Sequence, residues 1–210
     1  MRALVSRRGL REPVAYLVGG RWFRWWHVEV DPRVLIPRPE TELLVEVGLE
    51  LPHGARVHEV GTGSGAVAIA LGLERTDLVV SASDASPAAV EVARRNAERL
   101  GLDLPLEVAD GLPAGRYDLV LANLPYVRED QWAGLAPEIT RYEPREALVA
   151  GVDGLSAIRE LAGRAPAGTR LALEHAPGQA RAVRALLEGA ETRRDLSGRP
   201  RVTLGVSPAR

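Results

Sequence analysis

Four consecutive residues in this 210-residue chain, Asn123-Leu124-Pro125-Tyr126, combine the groups needed to hold a planar amino group. The nitrogen of an amide or aryl amine is a poor nucleophile because its lone pair is delocalised. A site can help by accepting both N–H hydrogens and turning the lone pair toward an electrophile. The Asn123 side-chain oxygen offers one acceptor and the backbone carbonyl of Leu124 a second. Pro125 holds Leu124 extended and so aims that carbonyl. Tyr126 supplies a flat face for a flat group. Each neutral hydrogen bond contributes about 0.5–1.5 kcal/mol. Most of the acceleration must therefore come from positioning, which can supply up to roughly 7–11 kcal/mol.

A second cluster lies upstream. Glu59-Val60-Gly61-Thr62-Gly63-Ser64-Gly65 follows an apolar run and precedes a helical one. Glycines there permit a sharp turn and close approach of a ligand, and the helix start adds free N–H groups. Gly61, Gly63 and Ala66 also satisfy the dinucleotide pattern G-x-G-x-x-G/A. Asp84 stands where a ribose-binding carboxylate is expected. Asp110, followed by Gly111, can accept from an adenine amino group. At this level a nicotinamide cofactor and S-adenosylmethionine are both open.

The elements that must position these groups follow from periodicity and turn chemistry. Residues 56–60, 78–83, 104–109, 117–122 and 169–174 read as strands. Helices are expected over 40–51, 66–74, 86–100, 154–164 and 179–188. Ser86 is an N-cap and Pro87 the first helical residue. A closing strand pair is expected over 192–196 and 201–206, joined by Ser197-Gly198-Arg199-Pro200. Alternation of strand and helix implies a mostly parallel sheet covered on both faces, with ligands at the carboxyl ends of its strands. Tyr16-Leu17-Val18, then Gly19-Gly20, then Trp22 to Val30 predict a β-hairpin. Its three tryptophans, Trp22, Trp25 and Trp26, are expected to form an apolar patch packed on the main domain. A loop with three prolines follows over 31–39.

Composition removes several chemistries. Cysteine is absent, which excludes disulfides, thiolate nucleophiles and thiolate metal sites. All 27 basic residues are arginine, so no lysine Schiff base is available. The net charge of −1 argues against a general grip on nucleic acid. No apolar run is long enough to span a membrane, and no apolar run follows the early arginines as in a secretory signal. A cytoplasmic protein is the simplest expectation, and no metal site is read. His58 and His175 read as structural. Arg38, between Pro37 and Pro39, either orders its loop or touches the substrate.

Asn123-Leu124-Pro125-Tyr126 at the end of the fourth strand matches the Asn/Asp/Ser-x-Pro-aromatic signature of methyltransferases acting on planar amino groups. Further residues narrow the likeness. Glu12 to Gly19, the loop Val34-Leu35-Ile36-Pro37-Arg38-Pro39-Glu40-Thr41-Glu42, Glu143 to Leu148, Asp153-Gly154-Leu155, and Leu173-Glu174-His175 with Gln179 all fall at matching spacings. The chain resembles the HemK/PrmC family, the glutamine N5-methyltransferases of peptide chain release factors, over most of residues 12–206. The resemblance implies a Rossmann-like class I methyltransferase with a mostly parallel seven-stranded sheet. It divides the chain into an N-terminal segment with a β-hairpin, 1–38, and a methyltransferase domain, 39–210. It also implies S-adenosylmethionine held by Gly61, Thr62, Gly63, Ser64, Gly65, Asp84, Asp110, Gly111 and Asn123. The substrate, the Gly-Gln loop of a release factor, would meet Asn123, Leu124, Pro125, Tyr126 and Arg38. Two departures stand out. Leu124 replaces the family's usual proline, a spelling shared with ribosomal RNA adenine dimethyltransferases. About a dozen residues precede the hairpin where the family has a larger helical domain, so that domain is reduced or the substrate is held differently. The readings kept beside this one are N6-adenine or N2-guanine methylation of nucleic acid such as ribosomal RNA, a nicotinamide-dependent oxidoreductase, which leaves Asn123–Tyr126 without a task, and a non-catalytic module that has kept the fold.

Overall fold

The computed structural model describes residues 2–209. It begins with two short helices, α1 (Arg2–Gly9) and α2 (Val14–Val18), and an antiparallel hairpin, β1 (Gly20–Phe23) with β2 (Trp26–Glu29). A short 3-10 turn at Pro39–Thr41 leads into α3 (Glu42–Leu49). The alternating part then runs β3 (Arg56–Val60), α4 (Ala66–Glu74), β4 (Val79–Asp84), α5 (Pro87–Arg99), β5 (Leu106–Val108) and β6 (Leu119–Ala122). After α6 (Pro137–Tyr142) come α7 (Ser156–Arg164), β7 (Arg170–Glu174), α8 (Ala180–Arg184), β8 (Glu188–Arg194) and β9 (Pro200–Val206).

The seven main strands form one sheet in the order β5-β4-β3-β6-β7-β9-β8. β3 to β7 pair in parallel; β9 runs antiparallel between β7 and β8. The chain leaves β3 toward β4 and β5, then returns to the other side of β3 as β6. The strand order reverses between β3 and β6, and such a switch point opens a crevice at the carboxyl ends of the two strands. Gly61 and Asn123 each stand just beyond one of those ends.

Alternation along β6 explains how both faces are covered. Leu119 and Leu121 pack with α3 and α4, whereas Val120 and Ala122 pack with α7 and α8. α4 is apolar around most of its surface because Ala66 to Gly72 are all buried. α5 starts as its sequence suggests: the Ser86 hydroxyl accepts from Ala89 N at 3.3 Å, with Pro87 in the first turn.

The N-terminal region differs from expectation. Residues 14–18 form a helix, not a strand, and Gly19 closes it at φ 76° as a left-handed cap. The hairpin turn is therefore Arg24-Trp25, with Phe23 opposite Trp26. This register sets the aromatics. Phe23 and Val28 join the main core and Trp26 packs against it, but Trp22 and Trp25 are 68% and 74% exposed. Elsewhere, the strand expected over 104–109 shrinks to Leu106–Val108. The last helix ends at Arg184 rather than near 188, because β8 begins at Glu188 through an irregular pairing with β9. Among the described residues no helix is long and apolar enough to cross a membrane.

Candidate active site

A cavity of about 450 Å³ opens at the switch point. The turn after β3 forms its floor. Gly61 and Thr62 donate their N–H groups to the Ser83 carbonyl at 2.9 and 3.0 Å, so the turn is hung from the end of β4. Gly61, Gly63 and Gly65 all take positive φ (73°, 56° and 83°), which glycine adopts without strain. A side chain on Gly65 would meet Ile69 and Ala93, whereas one on Gly63 would meet nothing within 4 Å. Gly65 thus serves packing of α4 on α5, and Gly63 keeps the turn open to a ligand. Gly61, Thr62, Gly63 and Ser64 line the cavity; Gly65 does not.

Two acids brace this turn. Asp84 ends β4, half-buried, and accepts from Gly63 N and Ser86 N, each at 2.9 Å. Burial raises its pKa, and those two N–H groups oppose the shift. Glu59, buried within β3, takes the Thr62 hydroxyl at 2.6 Å and Ala68 N at 3.0 Å on one oxygen. Burial pushes Glu59 up to about 7, and nearby Asp84 adds to the effect. Asp110, exposed, and Gly111, at φ 95°, lie along the same wall.

Beside this turn, at the end of β6, Asn123, Leu124 and Pro125 also line the cavity. The Asn123 Nδ2 donates to the Thr41 hydroxyl at 3.0 Å, and Oδ1 keeps no protein partner among the described residues. The Leu124 carbonyl likewise meets no backbone donor among them. Among the described residues, the two acceptors expected for a planar amino group both lack a donor. The segment is held from behind. Tyr126 N and Val127 N donate to the Leu148 carbonyl at 3.1 and 2.8 Å, and Gln179 Nε2 donates to the Tyr126 carbonyl at 3.0 Å.

Two residues given site roles stand elsewhere. Tyr126 lies outside the cavity lining; its hydroxyl donates to the buried Glu174 carboxyl at 3.3 Å. Arg38 is also absent from the lining. It ion-pairs with Glu143, which is 6% exposed and also accepts Ile36 N at 3.0 Å. Of the two readings of Arg38, the contacts match loop ordering. His58 is buried between the Ser81 and Ser83 hydroxyls, and burial lowers its pKa to about 4. His175 is buried against the Thr203 hydroxyl.

Sequence reasoning assigned no role to Thr41, Glu59 or Glu143. Thr41 lies in the Pro37–Glu42 loop, but no spacing rule links it to residue 123. Asn96 was also missed. It is fully buried in α5 and its amide accepts Glu29 N and donates to the Glu29 and Ser64 carbonyls, tying the hairpin to the glycine turn.

A sheet with this strand order, a glycine turn after β3 and an Asn-x-Pro-Tyr segment after β6 define a class I S-adenosylmethionine-dependent methyltransferase. A family model described as "Methyltransferase small domain" matches residues 39–142. A release factor glutamine methyltransferase of Bordetella pertussis is 45% identical over 97% of this chain and 81% of its own length. One from Neisseria gonorrhoeae is 46% identical, over 96% of this chain and 79% of its own. A methyltransferase structure from Pyrococcus furiosus shares the fold with a TM-score of 0.61, at 17% identity over 97% of this chain and 99% of that one. The chain belongs to the release factor glutamine methyltransferase family, enzymes whose methyl donor is S-adenosylmethionine.

Proposed function

We propose that this protein methylates the side-chain amide nitrogen of a glutamine in a peptide chain release factor, in the Gly-Gln loop implied by the family resemblance. The observation that carries the reading is the pair of free acceptors, Asn123 Oδ1 and the Leu124 carbonyl, on one wall of the cavity. A carboxamide NH2 has two hydrogens to give and a delocalised lone pair, and two acceptors on one segment match it.

The rest of the lining fits the cofactor. Gly61, Thr62, Gly63 and Ser64 offer an open glycine turn, Asp84 a carboxylate for ribose hydroxyls, and Asp110 with Gly111 an edge for adenine. S-adenosylmethionine supplies an electrophilic methyl group when bound. Asn123 and Leu124 orient the amide; Pro125 and Gln179 keep that segment from yielding. No residue needs to act as a strong base beforehand, because the amide proton becomes acidic as its nitrogen is alkylated. We further take residues 1–38 as an appendage to a methyltransferase domain over 39–210, with Asn96 as the tie between them.

Incubation with S-adenosylmethionine and purified release factor, followed by peptide mass spectrometry, tests the reading. A methylated glutamine is expected in the Gly-Gln peptide, with no methyl transfer to naked ribosomal RNA offered in parallel. Methylation of the RNA alone would overturn it.

A further inference from the structure

Glu143 has no part in the reaction above, yet its side chain is only 1% exposed. It follows α6, where its N–H donates to the Ile139 carbonyl at 3.0 Å. One carboxyl oxygen ion-pairs with Arg38 and the other accepts Ile36 N at 3.0 Å. Both partners belong to the proline loop ahead of α3. Leu35 and Pro37 of that loop line the cavity, whereas Ile36 and Arg38 do not. The alternation is that of an extended chain, and it lets Glu143 grip the loop from behind. Just after Glu143, Pro144, Glu146 and Ala147 line the cavity as well.

Three segments meet round the cavity, and each is tied to the other two. The proline loop, residues 34–41, reaches the acceptor segment through Thr41, whose hydroxyl lies 3.0 Å from Asn123 Nδ2. The acceptor segment, 123–127, reaches residues 143–150 through Tyr126 N and Val127 N on the Leu148 carbonyl. Ala150 N returns to the Val127 carbonyl at 3.0 Å. Glu143 then leads from that third segment back to the proline loop. The ties close a ring, and a ring constrains each member from both sides. Cut once, it is an open chain with two loose ends. The Tyr16 hydroxyl also holds the loop, on the Val34 carbonyl at 2.6 Å, but at the end farthest from Thr41.

We propose that Glu143 is a positioning residue for methyl transfer: by gripping Ile36 and Arg38 it closes a collar of three segments around the incoming glutamine. This deepens the reading of the cavity as a glutamine site and rests on it. Tyr126, the flat face expected for the amide, lies outside the lining. Leu35, Pro37, Pro144 and Ala147 supply apolar surface instead, two from each side of the Glu143 link, so that link sets the width of the slot. Opening it widens the slot and lets Thr41 drift from Asn123. The cofactor turn is less affected, because Asp84 and Glu59 brace it separately.

The test is kcat/KM for release factor at saturating S-adenosylmethionine, in single and double variants. Glu143→Gln keeps an acceptor for Ile36 N but breaks the ion pair; Arg38→Ala breaks it from the less buried side. Each should lose about tenfold through misalignment, with cofactor Kd changed by less than about threefold, and Arg38→Lys should recover most of the loss. Thr41→Val cuts the ring at another link. Residues that share no contact ordinarily add, so two independent ties would give about a hundredfold loss in the Glu143→Gln, Thr41→Val double variant. A collar gives about tenfold in the double variant too, because one cut already opens it. Should Glu143→Gln fail to fold, Arg38→Ala with Thr41→Val carries the same comparison. Additive losses, single variants that turn over like wild type, or cofactor affinity that falls as far as turnover would overturn the proposal. A second readout needs no substrate. The chain contains two asparagines, Asn96 and Asn123, so 15N-asparagine labelling yields two side-chain amide signals. The Asn123 signal, assigned by its loss in Asn123→Ala, should move in Glu143→Gln and Arg38→Ala while Asn96 holds still. An Asn123 signal unmoved in both sinks the collar. If the wild type leaves release factor unmodified, the substrate assignment fails, and the Asn123 signal still decides the collar.

Discussion

Gly61 and Leu124 touch across the mouth of the crevice: a Cβ built on Gly61 would lie 2.9 Å from Leu124 Cδ2. The cofactor turn and the acceptor segment are thus in van der Waals contact, one from the end of β3 and the other from the end of β6. Gly61→Ala would strain a residue at φ 73° and turn the tip of the Leu124 side chain aside. The strain is relieved by a shift of the turn that lines the cofactor side of the cavity, and that costs positioning, where most of the acceleration resides. The expected result is a fall in kcat of about tenfold or more with the fold retained, checked by turnover beside circular dichroism. Leu124→Pro is expected to go the other way. No backbone acceptor takes the Leu124 N–H among the described residues, and a ring in place of the isobutyl group stiffens the carbonyl, so kcat should hold or rise.

Asn123→Ala and Asp84→Ala should separate the two walls. Asn123 faces the acceptor, so its loss is expected to reduce kcat at least tenfold, the worth of about 1.4 kcal/mol, with little change in cofactor affinity. Asp84 holds Gly63 N and Ser86 N and faces the cofactor side. Hydrogen bonds to a charged group are worth about 1.5–3 kcal/mol, so its loss should weaken S-adenosylmethionine binding roughly 10- to 150-fold. Calorimetric titration of the cofactor with each variant, beside saturating-cofactor turnover, checks the split. Equal effects of both variants on cofactor affinity would contradict it.

Much of this arrangement was legible from residue types. The glycine turn, Asp84 and Asn123-Leu124-Pro125-Tyr126 are placed at one pocket by strand ends and turns, because a parallel sheet leaves little choice about where its loops gather; Gly65 and Tyr126 stand outside the lining. The misreadings are local and physical. Gly19 looked like a hairpin turn, but glycine at positive φ also ends helices, and Pro13 gave Val14–Val18 a start. The turn actually used, Arg24-Trp25, puts an arginine at φ 49°, which no propensity rule favours. Thr41, Glu143 and Asn96 escaped because their partners are 82, 107 and 67 residues away in sequence. Arg38 was visible as an unusual arginine, but only its buried partner Glu143 shows that it orders the loop.

Asn96→Ala should destabilise the protein more than an ordinary buried substitution. The amide satisfies Glu29 N, Glu29 O and Ser64 O, and truncation orphans all three. Leaving a buried polar group unpaired costs about 1–3 kcal/mol. Chemical denaturation is expected to show a loss of roughly 2–4 kcal/mol, with faster proteolysis confined to residues before 40, since the hairpin loses its tie to α5. Cleavage spread evenly over the chain would argue against that tie.

The buried acids make a signed prediction about pH and stability. Glu59 and Glu174 are both pushed up to about 7 by burial. Between the ordinary carboxyl range and about 7 the folded chain therefore binds protons that the unfolded chain has released. The stability each acid contributes is full below that range and is lost as pH rises through it. His58 and His175 act in the opposite sense, because burial lowers their pKa values and unfolding takes up protons. The whole-protein curve mixes the two, so a difference measurement is needed. Glu174→Gln cannot ionise and does not lose stability as the wild-type acid charges. Its stability relative to wild type, the difference in the free energy of unfolding, should increase from about pH 5 to about pH 8, as read by urea denaturation at both ends. A difference that stays flat would mean that Glu174 titrates alike in the folded and unfolded chains, and a difference that falls would mean it is held ionised by Arg201 rather than neutral by burial.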